Sequence, residues 1–266
     1  MKAKVIGING NAGKEIDLPE QFEEQRRADI VRRAVHAEQT ARFQPKGVFL
    51  MAGLQTTAEY YGRRHAWRQT INTGRSRVPR EKIPKGRMGR VLRIPSAMKG
   101  RRAHPPKPWK RLRERINVKE KNFAMRSAIS ATASAEEVKA RGHVFSAQLP
   151  IIVDNSIEGI AKSKEAHAVL EKLGLGQDML RARERRRMRS GRSRLRKGGY
   201  RTPKTVLIVI GEDKGIWRAA RNIPGVDVAK VGDLTAELLA PGGNMGRLTV
   251  WTESSIDRLQ KDALFK

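Results

Sequence analysis

The sequence predicts an α/β fold: a mainly parallel sheet with helices on both faces, a Rossmann-like globular domain, plus a long irregular basic loop. Three observations carry that reading. The apolar runs "LPIIVD" (149–154) and "TVLIVIG" (205–211) are β-branched and too short for buried helices, so they suit strands covered on both faces. In the C-terminal half such runs alternate with helical periodicities, the pattern of parallel strands joined by helices. From about Gln44 to about Leu112 apolar periodicity vanishes and positive charge takes its place.

In chain order, "KVIGINGNAGKEIDL" reads as a strand, an Asn-Gly-type turn and a second short strand. Asp17 stands as a helix cap, with Pro19 in the first turn and Glu20, Glu23 and Glu24 near the positive end. Phe22, Ile30, Val31, Ala34 and Val35 extend this helix to about Phe43. A helix is predicted near Val118–Ala133, then a shorter one whose Ser134 and Glu137 have capping-box spacing and whose end Gly142 marks. "VDVAKV" (226–231) and "RLTVWT" (247–252) are further strands. Helices are predicted near Lys164–Leu173, Asp213–Asn222, Asp233–Leu239 and Ser254–Leu264. Residues 1–54 and 114–266 are therefore expected to form the globular domain, with 55–113 inserted as an extended basic loop and 181–204 an Arg-rich segment within the globular part.

Charge is the strongest functional signal. Of a net charge of +29, residues 61–113 contribute +17, with 18 Lys or Arg against Glu81 alone. Residues 181–204 contribute +11, with 12 against Glu184 alone. The rest of the chain is close to neutral, so a balanced body carries two cationic appendages. Such concentrated charge repels itself unless a polyanion neutralises it, and nucleic acid is the usual one. A membrane surface is disfavoured, because neither window shows the apolar face of an interfacial helix. Folded back as a hairpin, the 53-residue cationic window would reach roughly 80 Å at about 3.3 Å per residue. Free in water it is expected to lack structure, having too little apolar surface to offset its chain entropy.

Other functions find little support. With no cysteine, disulfides, thiolate zinc sites and cysteine nucleophiles are excluded. The five histidines are never closer than 24 residues and show no metal-ligand spacing; no cofactor is expected. No apolar run approaches the roughly 20 residues that cross a bilayer, and the opening lacks a signal-peptide block, so the expected compartment is the cytoplasm. In "GINGNAGKE" a phosphate-binding loop fails twice, at Ile8 and at Glu15, which makes a hairpin turn the better reading. "GRSRV" (74) and "GRSRL" (191) lack the second glycine of a nucleophile elbow. Asp154, Glu158, Glu212 and Asp213 sit near strand ends, where they serve as helix caps rather than as catalytic acids. An RNA-modifying or nucleotide-dependent enzyme with basic substrate-holding arms stands as the alternative, and it would need a pocket at the sheet's carboxyl edge.

The basic windows interleave Tyr60, Tyr61, Trp67, Trp109 and Tyr200 among an excess of Arg over Lys. Arginine forks match phosphate and its plane stacks on bases, as do aromatic rings. The candidate RNA contacts in the first window are Arg63, Arg64, Trp67, Arg68, Arg75, Arg77, Arg80, Lys82, Lys85, Arg87, Arg90, Arg93, Lys99, Arg101, Arg102, His104, Lys107, Trp109 and Lys110. In the second they are Arg185, Arg186, Arg187, Arg189, Arg192, Arg194, Arg196, Lys197, Tyr200, Arg201 and Lys204. RNA is favoured over DNA because no helix-turn-helix, zinc finger or zipper appears.

"AMKGRRAHPPK" (97–107), "RKGGYRTPKTVLIVIG" (196–211) and "AELLAPGGNMGRLTVWTESSI" (236–256) make the chain resemble the archaeal and eukaryotic type of the large-subunit ribosomal protein family called L-four. The similarity runs in the same order from the first strand to about Ile256. It implies a non-enzymatic component of the large ribosomal subunit, in the cytoplasm, that binds rRNA and lines part of the polypeptide exit tunnel. Implied partners are large-subunit rRNA, neighbouring large-subunit proteins and the nascent polypeptide, with no membrane. The resemblance places the loop at roughly Gln55–Arg113 and its tip at Lys85, Gly86, Arg87, Met88, Gly89 and Arg90.

Overall fold

The chain is described here by a computed structural model covering residues 1–65, 70–196 and 198–266. It divides into two compact units, Met1–Arg42 with Arg113–Lys266, and Phe43–Leu112.

The first unit is a mixed α/β body. Strands β1 (Lys2–Ile6) and β2 (Ala12–Asp17) precede helix α1 (Ala28–Ala41). The second unit supplies β3 (Arg80–Lys82) and β4 (Met88–Val91). The body resumes with α2 (Val118–Thr132), α3 (Ala135–Ala140), β5 (Ile151–Val153), α4 (Ser163–Lys172) and α5 (Gly176–Glu184). Then come β6 (Arg187–Met188), β7 (Tyr200–Arg201), β8 (Leu207–Ile210), α6 (Ile216–Ala220), β9 (Asp227–Lys230), α7 (Ala236–Leu239), β10 (Thr249–Thr252) and α8 (Glu253–Lys261). Six strands form one sheet in the order β2-β1-β5-β10-β8-β9. Only the β1–β2 pair is antiparallel, with Ala3 opposite Ile16; the other four pairings are parallel, with Val5 opposite Ile152, Trp251 opposite Ile152, Val250 opposite Ile208, and Ile208 opposite Val228.

The period of two along the strands splits the core in half. Val5, Ile152, Leu207, Val209 and Trp251 face α1 and α2, meeting Val31, Val35, Met125 and Ile129. Trp251 takes Phe22 edge-on, ring centroids 5.2 Å apart. Ile151, Val153, Ile208, Ile210 and Val250 face the other way, against Val138 of α3, Leu170 of α4, Met179 of α5 and Ile216 of α6. Each such buried side chain contributes about 1.5–3 kcal/mol of transfer free energy. Continuous burial explains the uninterrupted apolar runs, because a strand covered on both faces has no polar side to alternate with.

The boundaries show where local signals lose. The helix expected from Asp17 begins only at Ala28; Pro19 instead opens a single 3₁₀ turn, Glu20–Phe22, which seats Phe22 in the core. Ser134 does flank α3, but its hydroxyl makes no cap and accepts from Arg26 Nη1 at 2.8 Å. Helix α5 and the β6–β7 pair have no counterpart among the expected elements. Of the four carboxylates read as caps, Asp154 and Asp213 accept from backbone N–H groups at helix starts. The cap reading fails for Glu212, which pairs with Arg258 at 2.6 Å, and for Glu158, which is buried.

The second unit carries little regular structure but is not featureless. β3 and β4 form an antiparallel pair, with Arg80 opposite Val91 and Lys82 opposite Met88, closed by the Ile83 N–H donating to the Arg87 carbonyl. Lys85 (φ 62°) and Gly86 (φ 77°) make the reversal. Glu59 bridges to Arg80, and Ala58 beside it is fully buried. Turns over 49–54 and 94–100 hold their own backbone hydrogen bonds.

Candidate nucleic-acid interface

The Arg-rich segment is built as an exposed hairpin on a buried clamp. Helix α5 delivers the chain to β6, which pairs antiparallel with β7, setting Arg187 opposite Arg201 and Met188 opposite Tyr200. The turn between them closes through the Arg189 N–H to the Gly199 carbonyl, 2.8 Å. Gly199 has φ +70°, and a Cβ there would stand 2.5 Å from the Arg194 carbonyl oxygen, so only glycine fits. The Arg186 guanidinium lies 4.5 Å from the centre of the Tyr200 ring, a cation–π pair. A cavity of about 680 Å³ opens among Arg187, Arg189, Ser190, Ser193 and Arg201, with no acid in its wall. Arg185, Arg186, Arg187, Arg189, Arg192, Arg194, Arg196 and Arg201 are exposed and, among the described residues, take part in no ion pair. Like charges held opposite one another repel, so this hairpin is an electrostatic cost that an anion removes.

What holds the cost in place is the clamp at its two ends. On the α5 side, Arg181 donates through Nε to Asp178, 2.8 Å, and Asp178 also accepts from the Val144 N–H and meets His143 Nδ1 at 3.0 Å. On the β7 side, Lys204 pairs with Asp227 at 2.7 Å, and Asp227 is shared with the fully buried Arg247 at 2.6 Å. Arg247 also donates to the carbonyls of Thr205 and Leu238, both at 2.9 Å. Arg181 Nη2 donates to the Lys204 carbonyl at 3.1 Å, tying the two ends together.

The clamp shows in the ionisation of its members. Burial alone would raise the Asp178 and Asp227 carboxyls, but hydrogen bonds and charge from His143 and Arg181, and from Arg247 and Lys204, hold both below the usual carboxylate range. Burial pushes His143 below its ordinary value despite Asp178. Burial likewise lowers Arg247, opposed by Asp227.

In the second unit, Arg63, Arg64, Arg75, Arg77, Lys85, Arg87, Arg90, Lys99, Arg101, Arg102, His104, Lys107 and Lys110 are exposed, and Trp109 is 64 % exposed with Lys107 Nζ 5.7 Å from its ring centre. Arg80, Lys82 and Arg93 are half-buried and engaged within the unit: Arg80 with the Ser76 hydroxyl, Lys82 with Glu59 at 2.6 Å, and Arg93 with the Ala58 carbonyl. Trp67, Arg68 and Lys197 lie outside the described residues. The turn at Lys85–Gly86 and the start of β4 bring Lys85, Gly86, Arg87, Met88, Gly89 and Arg90 to one end of the β3–β4 hairpin. Charge reading missed the apolar stretch "GVFLMAGL" (47–54), whose Phe49, Leu50 and Met51 stay largely exposed. Its signal was there, since a short apolar run that no core claims marks a contact surface.

The carboxyl edge of the sheet, where an α/β enzyme would place its chemistry, is closed at its centre. Glu158 accepts there from the Gly211 N–H and the Thr252 hydroxyl, both at 2.9 Å, and from the Ser254 hydroxyl at 2.5 Å. A Cβ on Gly211 would come within 2.5 Å of the Ser254 oxygen, so β8 and α8 pack closely at that point. Among the described residues no cluster of His, Asp or Glu could hold a metal, and no helix is long and apolar enough to cross a membrane.

Comparison with known proteins is consistent across the chain. Residues 16–262 match the model of the ribosomal protein L4/L1 family. The large ribosomal subunit protein uL4 of Methanocaldococcus jannaschii is 48% identical over 262 residues, covering 98% of this chain and 99% of the relative. The protein of the same name from Methanococcoides burtonii is 48% identical, covering 97% of each chain, and that from Archaeoglobus fulgidus is 46% identical, covering 97% and 98%.

Proposed function

This chain belongs to the ribosomal protein L4/L1 family, and from that premise we propose how its two basic elements divide the work. It is a structural component of the large ribosomal subunit, acting in translation in the cytoplasm and binding rRNA; it is not an enzyme. Its partners are large-subunit rRNA and other proteins of that subunit.

Of residues 1–54 and 114–266, those in the unit Met1–Arg42 with Arg113–Lys266 make a Rossmann-like support, while 43–54 go with the second unit, and the hairpin on the Arg181–Lys204 clamp docks the support on rRNA. Residues 55–113 form an inserted loop that enters rRNA, lines the polypeptide exit tunnel and ends at the turn 85–90, beside the nascent polypeptide. One observation supports this most strongly: the family match spans both cationic windows, which hold 28 of the 29 net charges. A photoreactive side chain at Met88 tests the tunnel assignment. In translating ribosomes it should cross-link to nascent chains; cross-links to rRNA alone, with none to nascent chains of any length, would refute it.

A further inference from the structure

Within the second unit, two stretches distant in sequence cross backbone to backbone. Gly53 (φ +75°) lies against Gly100 and Arg101 so closely that a Cβ on it would stand 2.7 Å from the Arg101 Cα. Gly100 is tighter still, since its Cβ would fall 1.9 Å from the Ile94 carbonyl oxygen. Each stretch is shaped by its own turns: Ala52 N–H to Phe49 carbonyl and Leu54 N–H to Met51 carbonyl on one side, Ala97 N–H to Ile94 carbonyl and Gly100 N–H to Ala97 carbonyl on the other. An open cavity of about 710 Å³ lies at the crossing, inside the roughly 300–1,000 Å³ typical of sites that bury a small organic ligand.

The lining of this cavity is of two kinds. Phe49, Leu54, Pro105 and Pro106 give it apolar surface, and Lys99, Arg101 and Arg102 add three cations, with no carboxylate among the described lining residues. Phe49 is 60 % exposed and contributes nothing to the cores of the body. A cavity meant for an apolar side chain gains nothing from three cations in its lining. An unpaired nucleotide has both parts: a flat base for the ring and prolines, and a phosphate for the cations.

We infer that this cavity receives a single unpaired nucleobase extruded from the RNA, stacked on Phe49, with the flanking phosphates on Lys99, Arg101 and Arg102. The inference rests on the rRNA-binding reading above and adds to it a contact that recognises a base rather than charge. Its thermodynamic mark is distinct, because losing a stacked base weakens binding without releasing counterions.

The test compares the full chain with its Phe49→Ala and Arg101→Ala variants, using a large-subunit rRNA transcript as probe over a range of salt. Phe49→Ala should weaken binding by about 5- to 150-fold with an unchanged salt slope. Arg101→Ala should lower the slope by about 0.7–0.9. Ultraviolet cross-linking of the wild-type complex should place RNA adducts within residues 48–54. Phe49 lies outside both cores, so an unchanged melting temperature is expected and reports that the variant is folded. Wild-type affinity in Phe49→Ala, or adducts confined to the Arg-rich hairpin, overturns the pocket alone. A photoreactive group at position 49 that captures another subunit protein instead of RNA also overturns it. A wild-type chain that does not bind the transcript overturns the rRNA reading itself, and the pocket with it.

Discussion

At the scale of single residues, Arg247 and Asp227 join structure to function. Arg247 is fully buried, and among the described residues Asp227 is the carboxylate that pairs with it, while also pairing with Lys204 at the end of the Arg-rich hairpin. Removing the acid leaves a buried guanidinium without its counter-charge, so Asp227→Asn should destabilise the body by about 3–5 kcal/mol, read as the urea midpoint. Three groups set the acid response: Asp178, Asp227 and His143. Asp178 and Asp227 have folded pKa values below their unfolded ones, so the stability they contribute is complete above about pH 4 and disappears as pH falls through the folded values. His143 also ionises less readily when folded, so the unfolded chain takes up its proton first as pH drops below about 6.5. Stability should therefore decline in two acid stages, and His143→Gln should remove the earlier one from the pH dependence of the urea midpoint. None of this was legible in the sequence. Arg247, at the head of "RLTVWT", resembles any surface arginine, and its partner is 20 residues away in β9.

Whole elements were easier to read where burial dictates composition. Ile151–Val153 and Leu207–Ile210 are covered on both faces, so their sequences had to be unbroken apolar runs. Helix α5 was hidden because "GQDMLRARE" carries so many charges that its buried apolar residues, Met179 and Ala182, do not stand out as a stripe. The β6–β7 pair was hidden for the opposite reason: it buries almost nothing and exists through a glycine turn and the clamp beneath it. That makes the turn its weak point. Gly199→Ala should open the hairpin and weaken rRNA binding while leaving the thermal unfolding of the body within about 0.5 kcal/mol of wild type, as followed by circular dichroism. A matching loss of body stability would mean the hairpin belongs to the core.

For the molecule as a whole, sign and position of charge made the nucleic-acid reading available from composition alone, because 28 net charges on two segments leave a neutral body. What composition could not supply was geometry: the Gly53–Gly100 crossing and the Arg181–Lys204 tie depend on pairs remote in sequence. The first unit carries both hydrophobic cores by itself, so a chain lacking residues 61–113 should still fold. The central claim, that the two cationic elements bind by neutralising rRNA phosphates, is tested most directly by the salt dependence of rRNA binding for the full chain and for that deletion. A steep log–log slope is predicted, falling in the deletion by about 0.7–0.9 for every phosphate the loop engages. A shallow slope, or the same slope in both proteins, would contradict it.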